Sequence, residues 1–220
     1  MTEILVPRAI PRTPAPTTRV WSGQQNAIFA WSRDGRGNLI VRARAGTGKT
    51  TTIVQMLEYA FERKILLAAF NKSIASELQS RIRRQGVEAK TLHGLGLRFI
   101  KNAWGREVGV EDGDSRGNRA STLARLAAPN APDYIHKLIE KLHTKARELI
   151  PLASAADIES LAYRFDMLPD EAWVEEGFDL NTIVRFVLDA MNRAKARCNV
   201  IDFADMIFLP IVHRMGAPLV

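Results

Sequence analysis

Two rhythms of apolar and polar positions run along this chain, and they change over near residue 108. In the first part, short apolar runs alternate with segments of helical period. A helix is predicted at about 22–33, with Ser22 as its cap. "NLIVRA" (38–43) reads as a short β-run leading straight into a glycine loop. "TTIVQMLEYAFER" (51–63) reads as a helix with Ile53, Leu57, Ala60 and Phe61 on one face. "KILLAAF" (64–70) is a near-continuous apolar strand of the kind a parallel sheet buries on both faces. "KSIASELQSRIRR" (72–84) is helical, with Ile74, Leu78 and Ile82 spaced by four and Glu77 placed to pair with Arg81 across one turn. Gly86 ends it, and "VEAKTLHG" (87–94) reads as a further short strand and a turn. The order β-loop-α-β-α-β is the start of a doubly wound α/β fold.

Beyond "VGVEDGDSRGNRAS" (108–121), a polar stretch read as a surface loop or subdomain boundary, only helical periodicity remains. Residues 133–150 carry Ile135, Leu138, Leu142, Ala146 and Leu149 as one stripe. Ser154 and Asp157 form an S-x-x-D capping signature for a helix reaching about 165. Residues 180–196 place Leu180, Ile183, Val184, Val187, Leu188 and Met191 on one face. The expectation is a helical insertion over 111–196 within an α/β core made of 19–110 and 197–220. Residues 1–18, with Pro7, Pro11, Pro14 and Pro16 and no periodicity, are read as an irregular arm.

Charge sharpens this division. The chain carries +7, yet residues 151–190 hold nine acids against two bases. That stretch is −7, so the remainder is +14. A basic part facing phosphates beside an acidic part turned away from them fits the pattern, as does a pair of solvated faces. No apolar run is long enough to span a membrane, which argues against a membrane partner. The single cysteine, Cys198, excludes an intrachain disulfide and fits a reducing cytoplasm.

The candidate chemistry lies in "ARAGTGKT" (43–50), which fits the P-loop pattern except that Ala43 stands at its first position. It follows a predicted strand and opens a predicted helix, the context the motif requires. Gly46 and Gly48 let the backbone fold tightly and turn N–H groups toward phosphate oxygens, and the helix adds its positive end. Ala43, Arg44, Ala45 and Thr47 complete the loop. Lys49 supplies a point charge to the β- and γ-phosphates of ATP, Thr50 a hydroxyl to Mg²⁺, and Thr51 reaches the α-phosphate.

Four further stretches surround the loop in order: "WSGQQNAIFAW" (21–31), "LLAAFNKSIASEL" (66–78), "TLHGLG" (91–96) and "VIDFADMIFLPI" (200–211). Together they resemble the ordered motifs of superfamily 1 DNA helicases of the UvrD/Rep type, a family in which the first loop position is often alanine. The resemblance implies a RecA-like P-loop NTPase sheet with an inserted helical subdomain, ATP and Mg²⁺ as cofactors, and single-stranded or forked DNA as partner. It assigns the adenine edge to Gln25, with Gln24 as the alternative. It places Asn71 and Lys72 on the DNA channel, and Thr91, His93 and Gly94 at a second DNA contact. Phe70 is either a base-stacking platform shifted by one position or a core aromatic at a strand end. His136 and His143 are read as members of a solvated helix, without Cys or His partners at metal spacing.

Asp202 could hold Mg²⁺, but only two apolar residues precede it and no glutamate follows. It reads better as a helix N-cap with Asp205 at N3 and Met206, Ile207 and Leu209 in the core. No hydrophobic strand ending in Asp-Glu occurs in the 220 residues. The sheet is thus expected to be incomplete and the chain to work with a C-terminal half or a partner chain. The expected function is the ATP-binding N-terminal part of a helicase, itself inactive in hydrolysis. A non-catalytic ATP- or DNA-binding module and another P-loop enzyme are the alternatives.

Overall fold

The computed structural model describes residues 19–35, 37–111 and 118–216. The irregular arm expected for 1–18 and residues 112–117 of the polar stretch 108–121 lie outside them. The chain is mixed α/β and divides into two compact units between Thr91 and Leu92.

In the first unit, α1 (Gly23–Asp34) opens on a capping box. Ser22 Oγ accepts the Gln25 N–H at 3.2 Å, and Gln25 Oε1 accepts the Ser22 N–H at 3.1 Å. Its buried Phe29 stacks on Tyr59 with ring centroids 5.1 Å apart and meets the edge of Trp21. Helix α2 (Lys49–Met56) begins inside the glycine loop and stops well short of residue 63. The carbonyls of Leu57 and Glu62 accept instead from the Arg84 guanidinium, which satisfies this segment outside a helix. Strands β1 (Ile65–Ala69) and β2 (Val87–Thr91) pair in parallel, Ile65 opposite Val87 and Ala69 opposite Thr91. Parallel neighbours need a crossover, and α3 (Lys72–Arg81) supplies it. The core here is small: Ala69, Ala75, Leu78 and Ala89, backed by Val54, Leu67 and Ile82. The Glu77–Arg81 pair forms at 2.8 Å on the exposed side, as the spacing predicts. Ile53 and Ile74, expected to face the core, are partly exposed.

The β-run expected at 38–43 joins no ladder among the described residues. Ile40 is 84% exposed, and Leu39 and Val41 are exposed with it. A strand is defined by its pairing, and apolar content alone does not provide a partner.

The second unit is mainly helical: α4 (Leu92–Trp104), α5 (Arg119–Ala127), α6 (Asp133–Leu149), α7 (Ala155–Arg164), α8 (Glu171–Glu175), α9 (Leu180–Ala194) and α10 (Asp205–Val212). A two-residue parallel pairing joins β3 (Gly109–Val110) to β4 (Val200–Ile201). Helix α4 replaces the turn expected after residue 91, and α5 emerges from the stretch read as loop. Ile135, Ile139, Leu142 and Ala146 of α6 and Ile183, Val187, Ala190 and Ala194 of α9 are fully buried in one core. Ile100 and Val108 from before the helical stretch, and Ile201, Phe208 and Leu209 from after it, share that core. Leu149, assigned to the apolar stripe, is half-exposed at the helix end. Helices α4 and α10 approach closely at Gly96, where an added Cβ would lie 1.7 Å from the Met206 carbonyl oxygen. Only glycine permits that contact.

Candidate nucleotide and nucleic-acid sites

The glycine loop has the backbone its sequence requires. Gly46 (φ +77°) and Gly48 (φ +79°) are both left-handed, a region that L-residues other than glycine enter at a cost. Gly48 is the N-cap of α2, so the first N–H groups of that helix open at the loop. The Thr47 hydroxyl donates to the Arg44 carbonyl at 2.8 Å and closes the turn. Lys49 Nζ folds back onto the carbonyls of Arg44 at 2.8 Å and Ala43 at 3.3 Å, and it remains exposed. Loop and helix border a cleft of about 890 Å³ that is also lined by Gln24, Gln25, Trp31, Val41 and Met56. That volume lies in the range of cofactor-sized sites. The donor set fits a magnesium nucleotide: a cation, consecutive backbone N–H groups, and the hydroxyl-bearing Thr50 and Thr51 on the first turn of α2.

Gln25 is more committed than the sequence reading foresaw. Its Oε1 serves the capping box, and its Nε2 donates to Thr52 Oγ1 at 2.8 Å. Thr52 Oγ1 in turn donates to the Gly48 carbonyl at 2.9 Å, so the amide is wired to the base of the glycine loop. Gln24 stands beside it in the cleft and is exposed.

Phe70 is 94% exposed, which excludes its core reading. Asn71 is the N-cap of α3, with Oδ1 accepting the Ile74 N–H at 2.9 Å, and Lys72 is the exposed first residue of that helix. Thr91 is the last residue of β2. In the second unit, His93 and Gly94 lie in the first turn of α4. The His93 ring sits 5.5 Å from the ring of Phe203, which is 59% exposed.

Helix α10 starts later than the Asp202 cap reading places it, at Asp205 with Ala204 as N-cap, but the two bonds expected of that cap form across the turn just before it. Asp202 Oδ1 accepts the Asp205 N–H at 2.8 Å, and the Asp202 N–H donates back to Asp205 Oδ2 at 3.3 Å. Both carboxylates also engage arginines: Arg147 with Asp202 and Asp205 at 2.7 Å each, and Arg119 with Asp205 at 2.5 Å. Burial pushes the Asp205 carboxyl above its ordinary range, against the pull of Arg147 and Arg119. Burial disfavours the Arg147 charge too, but Asp202 and Asp205 outweigh it and hold the guanidinium charged. Neither acid is free to hold a metal in this arrangement. The solvated-helix reading of His136 and His143 is corrected: both are buried, with Nε2 on the carbonyls of Ala128 at 2.7 Å and Ala120 at 3.0 Å. For His143 burial favours the neutral imidazole, whose one nitrogen finds a carbonyl. Among the described residues no group of His, Cys, Asp and Glu could hold a metal ion, and no helix is long and apolar enough to cross a membrane.

The profile of the UvrD/REP helicase N-terminal domain matches residues 22–214. The chain belongs to that family. A UvrD/REP N-terminal domain is a P-loop NTPase fold, part of an ATP-dependent helicase motor whose substrate class is DNA. No curated protein matches the chain. Within this UvrD/REP domain the sequence reading missed Phe203 and the two arginines behind it. Arg147 left a signal, since it follows His143 by four residues on the buried face of α6. The partner carboxylates, more than fifty residues away in sequence, left none.

Proposed function

We propose that this chain is the ATP-binding front part of a DNA helicase motor that moves along single-stranded DNA, forked DNA being its working substrate. The observation that carries the reading is the loop of Gly46 and Gly48, left-handed at both glycines, that opens α2 with Lys49 poised on its rim. In this reading Ala43, Arg44, Ala45, Gly46, Thr47, Gly48 and Lys49 cradle the β- and γ-phosphates. Thr50 offers its hydroxyl to Mg²⁺, Thr51 serves the α-phosphate, and Gln25 or Gln24 meets the adenine edge. Mg²⁺ bound with the nucleotide would neutralise charge on the transferring phosphoryl group. In the first unit Phe70, Asn71, Lys72 and Thr91 serve as DNA contacts; in the second His93 and Gly94 do, and the exposed Phe203 beside His93 offers a face for base stacking. Residues 19–110 and 197–220 serve as the motor core, and 111–196 as its helical insertion.

Asp202 and Asp205 are consumed in ion pairs, so neither is available to position an attacking water in this arrangement. The same observation favours a second reading, a nucleotide- and DNA-binding module without turnover of its own. Phosphate release with and without a single-stranded oligonucleotide tests both. No release from the chain alone fits either reading, and DNA-stimulated release abolished by Lys49→Ala would show that the chain completes its own site.

A further inference from the structure

The four-residue turn Asp202–Asp205 is tied more heavily than a helix start requires. One side-chain bond to a backbone N–H is enough to hold such a turn, and Asp202 Oδ1 already provides it at the Asp205 N–H. The return bond from the Asp202 N–H to Asp205 closes the turn into a ring. Behind the ring, the fully buried Arg147 forks across both acids: Nη2 and Nη1 bind Asp202 at 2.7 and 3.0 Å, and Nη1 also reaches Asp205 Oδ1 at 2.7 Å. Arg119 holds the remaining Asp205 oxygen and donates onward to the Ala194 carbonyl at 2.9 Å. Three helices, α5, α6 and the end of α9, thereby converge on one turn.

Two residues lie inside that ring. Ala204 is buried, and Phe203 stands out beside His93. The depth of α10 against α4 is set by backbone contact at Gly96, and His93 opens α4. The charge network thus ties down the backbone turn that carries Phe203. Buried ion pairs are weak evidence of stability, because apolar replacements often serve as well. Here the Arg147 Nε is left buried without a partner while both Nη atoms are spent on the acids. That favours placement of the fork over stability as its use.

We propose that Arg147 and Arg119 are positioning residues for nucleic-acid binding. Through Asp202 and Asp205 they hold Phe203 in the orientation that stacks on a base of single-stranded DNA. The inference rests on the reading of Phe203 as a stacking face.

The test is binding of a single-stranded oligonucleotide carrying 2-aminopurine, whose emission reports base stacking, to the 220-residue chain and three variants. The Asn side-chain oxygen accepts from a backbone N–H as that of Asp does, so Asp202→Asn keeps the bond to the Asp205 N–H and removes the carboxylate that Arg147 grips. The expected result is an affinity loss of about fivefold or more in both Phe203→Ala and Asp202→Asn, in line with the worth of one stacked base. The double variant is expected to bind no worse than Phe203→Ala, with the 2-aminopurine quench lost in all three and far-UV circular dichroism unchanged. A merely structural role would leave the quench at saturation intact. Should Asp202→Asn fail to fold, Arg119→Gln is read in its place, because that side chain is 15% exposed and lies at the edge of the network. A folded Asp202→Asn or Arg119→Gln chain that binds and quenches like the parent, while Phe203→Ala does not, overturns the positioning role alone. Unchanged binding by Phe203→Ala removes the stacking reading and the proposal with it.

Discussion

His143 makes the second unit acid-sensitive in a way that can be calculated before it is measured. The side chain is fully buried on α6, with Nε2 on the Ala120 carbonyl and Nδ1 without a partner. Burial, and then the charge of Arg147 one turn away, lower its pKa from 6.5 to about 3, and the Ala120 bond only partly resists. The native state therefore keeps His143 neutral at pH values where the unfolded chain has already bound a proton. Stability from this residue is complete above about pH 6.5 and is lost as pH falls toward the folded value. The slope is roughly 1.4 kcal/mol per pH unit, so on the order of 4 kcal/mol is gone near pH 3. Against a typical total of about 5–15 kcal/mol, that is a large share. Urea unfolding of the parent and of His143→Gln at pH 7.5, 6, 5 and 4 isolates the effect, because every other titrating group, Asp205 included, is common to both chains. The parent is expected to lose about 1.4 kcal/mol per unit more than the variant below pH 6. Parallel pH dependences in the two chains would refute the reasoning.

Three other outcomes follow from single contacts. Gly96→Ala drives a methyl group into the Met206 carbonyl, so the chain is expected to fail to fold or to melt many degrees lower in a thermal unfolding scan. Asn71→Ala removes the cap of α3 and is expected to cost about 1 kcal/mol in urea unfolding, with Asn71→Asp restoring it. Phe70→Ala is expected to leave the melting temperature unchanged, because the ring is solvent-exposed, while weakening single-stranded DNA binding about fivefold or more.

Where a local rule decided the structure, the sequence was legible. The Ser22 and Ser154 capping boxes form, Asp202 bonds the Asp205 N–H as the spacing suggests, and the glycine loop opens a helix. Each depends on residues within a few positions of one another. The failures share a cause of the opposite kind. The run 38–43 has strand composition, but a ladder needs a neighbour that composition does not name. Helix α4 was hidden because Gly94 and Gly96 sit in its first two turns and read as turn residues, whereas Gly96 is there for the α10 contact. His136, His143 and Arg147 look like a polar face until carbonyls and carboxylates from distant segments supply their partners. Of the candidate site, the glycine loop at the start of α2 was legible. Phe203 was not, because nothing local in the sequence marks its side chain as exposed.

The measurement that bears most directly on the central claim is binding of a fluorescent ATP analogue with Mg²⁺ by the parent chain and by Lys49→Ala. Lys49 is exposed and bonds only loop carbonyls, so its removal leaves the fold intact. The account predicts saturable binding by the parent that is lost or weakened at least tenfold in the variant. Equal binding by both chains, or none by a folded parent, would contradict the reading of 43–51 as a nucleotide cradle.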